Sequence, residues 1–201
     1  MEFFTLVVLI AIGTYVLKTK EQAHRIRLLG SHLGQYQIEK LMETLTSGYL
    51  RCLGETDAAR QAQIWALLDQ SEAALASQFE RFAAGFSKVE ESDARVSKLP
   101  IAIPCADRLL PAATFDARKA FAIHARGIAD AAANRAGQTP KAKAFTMSAE
   151  LFLMQHTCHW FCRSRAVASA RIQVRHQTSH AMALASVSPS TRAAYRALTG
   201  L

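Results

Sequence analysis

The sequence predicts an all-α protein, in which one N-terminal transmembrane helix precedes an antiparallel bundle of about five helices. Three observations support this fold class. An uncharged apolar run extends from Phe3 to Leu17, as is typical of a membrane span. Half of the 201 residues are hydrophobic, and alanine is abundant. Apolar residues recur every three or four positions, whereas the strict alternation that marks β-strands is nearly absent.

The apolar run is short for a membrane span. Its fifteen residues cover roughly 22 Å of a hydrocarbon layer that is roughly 30 Å thick. Lys18 reduces this difference, because its aliphatic stem can lie along the acyl chains while its ammonium reaches the headgroups. Glu2 stands where a signal peptide carries positive charge, which favours a retained anchor over a cleaved signal. A buried core helix is the other alternative.

The basic residues near the apolar run all lie on its C-terminal side. They are Lys18, Lys20, Arg25 and Arg27. This asymmetry predicts an N-terminus outside the cytoplasm and a cytoplasmic domain after Leu17. We therefore expect a single-pass protein of the inner (plasma) membrane of a bacterium, with Tyr15 and the four basic residues at the membrane interface.

Three segments are predicted: a transmembrane anchor at residues 1–20, a basic juxtamembrane segment at 21–30 and a cytoplasmic helical domain at 31–201. The domain contains an irregular connector at 89–113, because three prolines there remove backbone donors and disfavour helix in the residues before them. They are Pro100, Pro104 and Pro111. The apolar residues of the connector predict that it packs across the bundle. They are Leu99, Ile101, Ile103, Leu109 and Leu110.

Helical spacing and capping residues predict the first two helices of the domain. The first covers 31–53, and glycines near its start, Gly30 and Gly34, favour a bend there. The second begins with Thr56 as its cap and ends near Lys88.

Three more helices follow the connector. One extends from residue 114 or 115 to Gly137. The next is capped by Thr139, has Pro140 in its first turn and continues to about residue 175. A short last helix covers 188–200, since it opens with a serine and a proline and closes with a glycine.

The most chemically promising segment is 155–162. It contains His156, Cys158, His159 and Cys162. Only His159 and Cys162 are near neighbours across the two faces of one helix. His156, His159 and Cys162 are candidate ligands of a metal or a haem, and the two cysteines are candidate redox thiols. A closed zinc site would need a second pair of ligands, for which the candidates are His124, Cys105, His176 and His180.

The alternative for this segment is a core helix. Its histidines would then be hydrogen-bonded to neighbours, and its cysteines would act as small apolar residues. His124 is likewise expected to be a hydrogen-bonded core histidine. Glu21 and His24 have the spacing of a di-iron half-site, but no second pair accompanies them, so we expect them on the surface.

The sequence contains no phosphate-binding glycine loop, nucleophile elbow or zinc-protease helix. We therefore predict no catalytic residues and no cofactor, although an enzymatic activity stays open. The net charge of +8 is uneven, since residues 141–201 carry eight Lys or Arg against Glu150 alone. Solvated helix faces or contact with anionic lipids explain this charge better than nucleic acid, for which no motif is present.

These observations favour a non-enzymatic protein. The leading hypothesis is a scaffold or accessory subunit of an inner-membrane assembly, whose domain binds a membrane-protein partner or a second copy of itself. The alternatives are a metal or haem protein that uses 156–162, and a peripheral domain that binds anionic lipids.

Overall fold

The computed structural model describes residues 2–201, of which 78% are helical, and this confirms the all-α prediction. Five of the ten helices have sixteen residues or more. The helices are α1 (Glu2–Leu33), α2 (Ile38–Leu53), α3 (Ala58–Phe86), α4 (Glu91–Ala94), α5 (Ala106–Leu109), α6 (Ala117–Ala132), α7 (Pro140–Cys162), α8 (Arg165–His176), α9 (His180–Ser186) and α10 (Pro189–Thr199). Two short strands, β1 (Arg95–Ser97) and β2 (Thr114–Asp116), and a 3-10 turn at Pro111–Ala113 complete the described chain.

Helix α1 joins the anchor and the juxtamembrane segment without a break. Residues 2–17 are exposed along their whole length, and within the described chain α1 alone is long and apolar enough to cross a membrane. The hydroxyl of Thr14 donates to the carbonyl of Ile10, so this polar group is satisfied inside the helix. The domain first covers α1 at Lys18, and Leu29 is its one buried residue.

The predicted helix over 31–53 is two helices in the structure. Helix α1 continues to Leu33, a turn follows, and α2 begins at Ile38. The next helix also starts slightly later than predicted, since Asp57 rather than Thr56 is the cap: its carboxylate accepts from the amides of Ala59 and Arg60. A carboxylate also complements the positive end of the helix dipole, which a threonine hydroxyl cannot do.

Helices α2 and α3 form an antiparallel hairpin. Gln61 near the start of α3 bonds to the carbonyl of Cys52 at the end of α2, and Gln78 near the end of α3 accepts from the amide of Gln37. Helix α3 ends at Phe86, close to the predicted Lys88.

The centre of the core is aromatic and joins α3, α6 and α7. It consists of Phe79, Phe82, Phe86, Phe121 and Phe161, all fully buried. The ring of Phe86 meets Phe121 at 4.9 Å and Phe161 at 5.5 Å between centroids, both edge to face. This is a favoured geometry for aromatic pairs, so the cluster fixes how the three helices pack.

The connector contains more structure than predicted. Strands β1 and β2 pair in antiparallel register, with Val96 opposite Phe115. The helix expected from residue 114 or 115 therefore begins at Ala117, capped by Asp116. The indole of Trp160 donates to the carbonyl of Ser97 at 2.9 Å, which anchors β1 to α7.

Packing of the connector across the bundle is confirmed for β1 and wrong for three of the apolar residues that led to the prediction. Ile101, Leu109 and Leu110 are exposed to solvent. They lie in the irregular segment between the two strands, Leu109 at the end of the short helix α5.

The later helices differ from the predictions in three places. Helix α6 ends at Ala132 rather than Gly137. The long helix expected to reach residue 175 stops at Cys162, because Ser164 caps a new helix by accepting from the amide of Val167. Helix α9 was not predicted. The caps at Thr139 and Ser188 and the C-terminal Gly200 are confirmed.

Candidate functional sites

A groove of about 670 Å³ lies between α2, α7 and the α8–α9 segment. Its apolar lining consists of Met42, Leu50, Leu53, Phe145, Phe152 and Met182. Leu50 is 75% exposed and Phe145 is 59% exposed. Single exposed apolar residues are ordinary on a protein surface, but a set that converges on one concave site is characteristic of a binding surface.

Charged residues border the groove on two sides. Glu39 and Glu43 on α2 form an acidic edge, and Arg175 lies at the end of α8. Arg175 Nη1 lies 3.7 Å from Glu39 Oε1, so a solvent-exposed ion pair bridges the groove. His176 stacks on Phe152 with ring centroids 4.0 Å apart and bonds to Gln155 at 2.6 Å.

Sequence reasoning did not find this groove. The sequence predicted one long helix from Thr139 to about residue 175, so there was no reason to bring the later residues of that stretch back beside Phe145 and α2. The break at Ser164 turns α8 back along α7, and Ser179 then starts α9 with its hydroxyl on the amide of Met182. The capping serines were the available signal, since they mark new helix starts that place Met182 opposite α2.

A buried ionic network lies beside the groove and joins α2, α3 and α7. Tyr49 donates to Glu72 at 2.5 Å, and the ammonium of Lys143 lies 2.6 Å from Glu72 and 2.7 Å from Asp69. Glu72 is only 2% exposed. Burial and the neighbouring carboxylate raise the pKa of the Tyr49 hydroxyl above its usual range, so Tyr49 is a neutral donor. These side chains satisfy one another and form a structural link.

A second buried polar cluster contains three histidines. His124 Nε2 lies 2.8 Å from the hydroxyl of Thr157, which in turn lies 3.0 Å from the hydroxyl of Tyr195. His124 is fully buried, so the expected core histidine is confirmed. Burial lowers its pKa to about 3, and the ring is neutral near pH 7.

His156 is also buried and lies against His180. Their ring centroids are 4.1 Å apart at an interplanar angle of 33°. His156 Nε2 contacts the hydroxyl of Ser169 at 3.1 Å. Burial and the neighbouring His180 lower the pKa of His156 to about 2.

The other candidate ligands of this segment, His159 and Cys162, have surroundings of their own. His159 faces Arg171, whose guanidinium lies 3.1 Å from its Nδ1, and burial with that cation lowers the pKa of His159 to about 4. Burial raises the pKa of Cys162 to about 11, so its thiol is protonated near pH 7. Within residues 2–201, no three His, Cys, Asp or Glu residues are grouped so that they could hold a metal ion.

The predicted membrane-interface residues differ in their surroundings. Tyr15, Lys20 and Arg27 are exposed, whereas Lys18 is partly covered by the domain. Arg25 points into the domain: it pairs with Glu21 at 2.6 Å and donates to the carbonyl of Arg95 at 2.8 Å. Arg25 therefore contributes to docking α1 against the bundle.

Glu21 and His24 were predicted to lie on the surface because no second such pair accompanies them, and this is confirmed for His24 but only in part for Glu21. His24 is exposed and contacts Asp93 at 3.2 Å, while Glu21 is partly buried and also accepts from the backbone amide of Cys105 at 3.1 Å.

Comparisons with protein families, with curated proteins and with solved structures found no match to this chain.

Proposed function

We propose that this chain is a single-span scaffold or accessory protein of the bacterial inner membrane. Its domain lies in the cytoplasm and binds a helical segment of a membrane-protein partner in the groove between α2, α7 and the α8–α9 segment. The observation that carries the proposal is the convergence of exposed Leu50, Phe145 and Met182 on one groove of about 670 Å³. That volume is in the range of sites that enclose several apolar groups.

The shape and charge of the groove support a helical partner. Amphipathic helices bind apolar grooves through residues spaced three, four and seven apart. The acidic edge formed by Glu39 and Glu43 favours a partner with Lys or Arg beside its apolar face. Cytoplasmic segments next to transmembrane helices are rich in these residues, so the groove suits a partner in the same membrane.

The test is site-specific photo-crosslinking of the full chain in its native membrane. A photoreactive amino acid at Leu50 or Phe145 is expected to yield one discrete cross-linked product. The matched control is Leu67 on α3, which is 63% exposed and lies outside the groove.

Products that require the groove should disappear when Met182→Asp introduces a charge into the apolar lining. A product with the mass of two chains identifies self-association as the function of the groove. The absence of products from Leu50 and Phe145, or the same products from Leu67, would refute the proposal.

A metal or haem bound by His156, His159 and Cys162 is the competing proposal. It has less support, because the ring nitrogens of His156 and His159 already bond to two different residues of α8, Ser169 and Arg171. Elemental analysis and a visible spectrum of protein extracted in mild detergent test it. Stoichiometric metal or a haem absorption band would reverse the ranking of the two proposals.

A further inference from the structure

The connector between β1 and β2 exposes apolar side chains that the fold leaves uncovered. Ile101 is 63% exposed, Leu109 is 67% exposed, and Leu110 is also exposed. These residues do not belong to the groove. They lie in 100–111, which we call the connector loop, and its turns are closed by local bonds such as that from the amide of Leu110 to the carbonyl of Ala106.

The connector loop lies against the start of the covered part of α1. Ile101, Ile103 and Pro104 line a small crevice together with Lys18 and Gln22. The backbone amide of Cys105 donates to Glu21 at 3.1 Å. Since residues 2–17 are entirely exposed, the connector loop belongs to the part of the domain that meets α1 nearest to the membrane.

The length of the anchor places this loop at the bilayer surface. A hydrocarbon layer of roughly 30 Å needs about 20 helical residues, and the apolar run supplies fifteen of them before Lys18. Because the stem of Lys18 can lie along the acyl chains while its ammonium reaches the headgroups, the headgroup region begins at Lys18, which lines the crevice. A headgroup region that begins at this level thus explains both the marginal length of the apolar run and the exposed apolar residues of the connector loop.

Basic residues lie at the crevice and in the loop itself. The guanidinium of Arg163 bonds to Gln22 at 2.8 Å, and Arg108, whose side chain is 83% exposed, lies 3.9 Å from Asp107. Together with Lys18 these two arginines suit anionic headgroups, which attract basic residues close to the surface. Exposed apolar side chains beside basic residues are typical of segments that lie at a membrane interface.

We propose that the connector loop inserts Ile101, Leu109 and Leu110 into the cytoplasmic leaflet beside the anchor. The loop is a second membrane contact, which fixes the orientation of the domain relative to the bilayer. It rests on the membrane span and the cytoplasmic domain of the proposed function, but it involves neither the groove nor the binding partner, so it holds whether or not the groove binds a partner.

The test uses the full chain reconstituted into vesicles that contain anionic lipid. An environment-sensitive fluorophore is attached at Ile101→Cys or Leu109→Cys in a chain whose exposed cysteine is removed by Cys105→Ser. We expect blue-shifted emission and strong quenching by brominated lipids at both positions. Leu67→Cys and Val174→Cys, exposed apolar positions on α3 and α8, serve as the aqueous controls.

Ile10→Cys in the anchor is the positive control for insertion. If the Ile10 label is quenched while the labels at Ile101 and Leu109 match those at Leu67 and Val174, the loop does not insert. If the Ile10 label is also in water, the anchor itself fails and the proposal falls with it. Circular dichroism of each labelled chain confirms that the fold is retained.

A charged variant tests the same contact without a label. Leu109→Asp with Leu110→Asp changes exposed residues only, so the melting temperature in detergent should stay unchanged. In vesicles, the variant should open Lys98 and nearby connector sites to added protease, with a clear increase in cleavage rate over the parent chain. Equal cleavage rates would contradict loop insertion.

Discussion

Glu72 is the residue on which the link between α2, α3 and α7 depends. Its carboxylate accepts from Tyr49 and pairs with Lys143, and all three side chains are buried. A buried ion pair adds little net stability over an apolar pair, but removal of one partner leaves an uncompensated charge. The network is therefore sensitive to single substitutions.

We predict that Glu72→Ala lowers the free energy of unfolding by about 1–3 kcal/mol, because the Tyr49 hydroxyl loses its acceptor while Lys143 keeps its pair with Asp69. Urea unfolding of the detergent-solubilised chain, followed by circular dichroism, measures the change. The control is Glu39→Ala, whose side chain is 83% exposed and whose effect should stay within about 0.5 kcal/mol. Combining Glu72→Leu with Lys143→Met should recover most of the loss, and equal effects of the two alanine variants would contradict the role of the network.

The buried histidines predict a loss of stability in acid. In the folded chain, burial lowers the pKa of His124 to about 3, so the unfolded chain, with a pKa of about 6.5, binds more protons between these values. The stability that depends on neutral His124 is therefore fully present above pH 6.5, and it decreases as the pH falls below that value. Well below pH 6.5, His124 contributes a loss of about 1.4 kcal/mol per pH unit.

Comparison with His124→Gln isolates this contribution. His156 and His180, which face Arg165, change stability in the same direction, and Glu150, whose pKa burial raises, acts in the opposite direction. These groups are common to both chains, so the difference in slope between pH 6 and pH 4.5 belongs to His124. Equal slopes in urea unfolding would show that His124 is protonated in the fold.

At the scale of elements, the crossing of α6 with α7 and α10 requires a glycine. A Cβ at Gly127 would overlap with the Thr191 hydroxyl and the Glu150 carboxyl group. Glu150 in turn accepts from the amide of Ser188 at 3.1 Å, which holds the start of α10 against α7. The close approach of these three helices depends on the missing side chain.

We predict that Gly127→Ala destabilises the domain by about 1–3 kcal/mol, as is usual for overpacking. The matched control is Gly30→Ala in α1, where a Cβ would meet no atom within 4 Å. It should instead add up to about 1 kcal/mol, since alanine favours helix over glycine. Thermal unfolding of the two variants measures both changes in stability, a decrease for Gly127→Ala and an increase for Gly30→Ala. If Gly127→Ala left the stability unchanged, α10 would be able to move away without cost.

For the whole molecule, charge asymmetry predicts the topology in the membrane. Lys20 and Arg27 are exposed, Lys18 is partly covered by the domain, and Arg25 bonds to the domain. All four cations follow the apolar run, and this asymmetry favours a cytoplasmic domain. A C-terminal epitope should resist protease in spheroplasts and be cleaved in inverted vesicles, and the reverse pattern would overturn the orientation.

The elements that the sequence predicted well depend on a few neighbouring residues. The helices capped by Thr139 and Ser188 begin where predicted, because each capping side chain accepts a hydrogen bond from an amide only three positions further along the chain. The β1–β2 pair was missed, since two strands of three residues carry almost no periodicity and their pairing joins distant positions. The break at Ser164 was missed because apolar spacing continues through it.

The candidate sites show the same contrast between residues that are close in sequence and residues that only the fold brings together. His156 and His159 are close in sequence and bond to different residues of α8, Ser169 and Arg171. The groove and the connector loop, by contrast, bring together residues as distant as Leu50 and Met182, or Lys18 and Ile101. Proximity along the chain therefore gave no indication of either surface.

By itself, the sequence determined the apolar N-terminal helix and the helical character of the domain, because hydropathy, periodicity and capping act over one or two helical turns. Only the tertiary structure decided which apolar residues remain exposed, at the groove and at the connector loop. Burial depends on contacts between residues far apart in the chain, and those contacts follow from the conformations of the turns that join the helices.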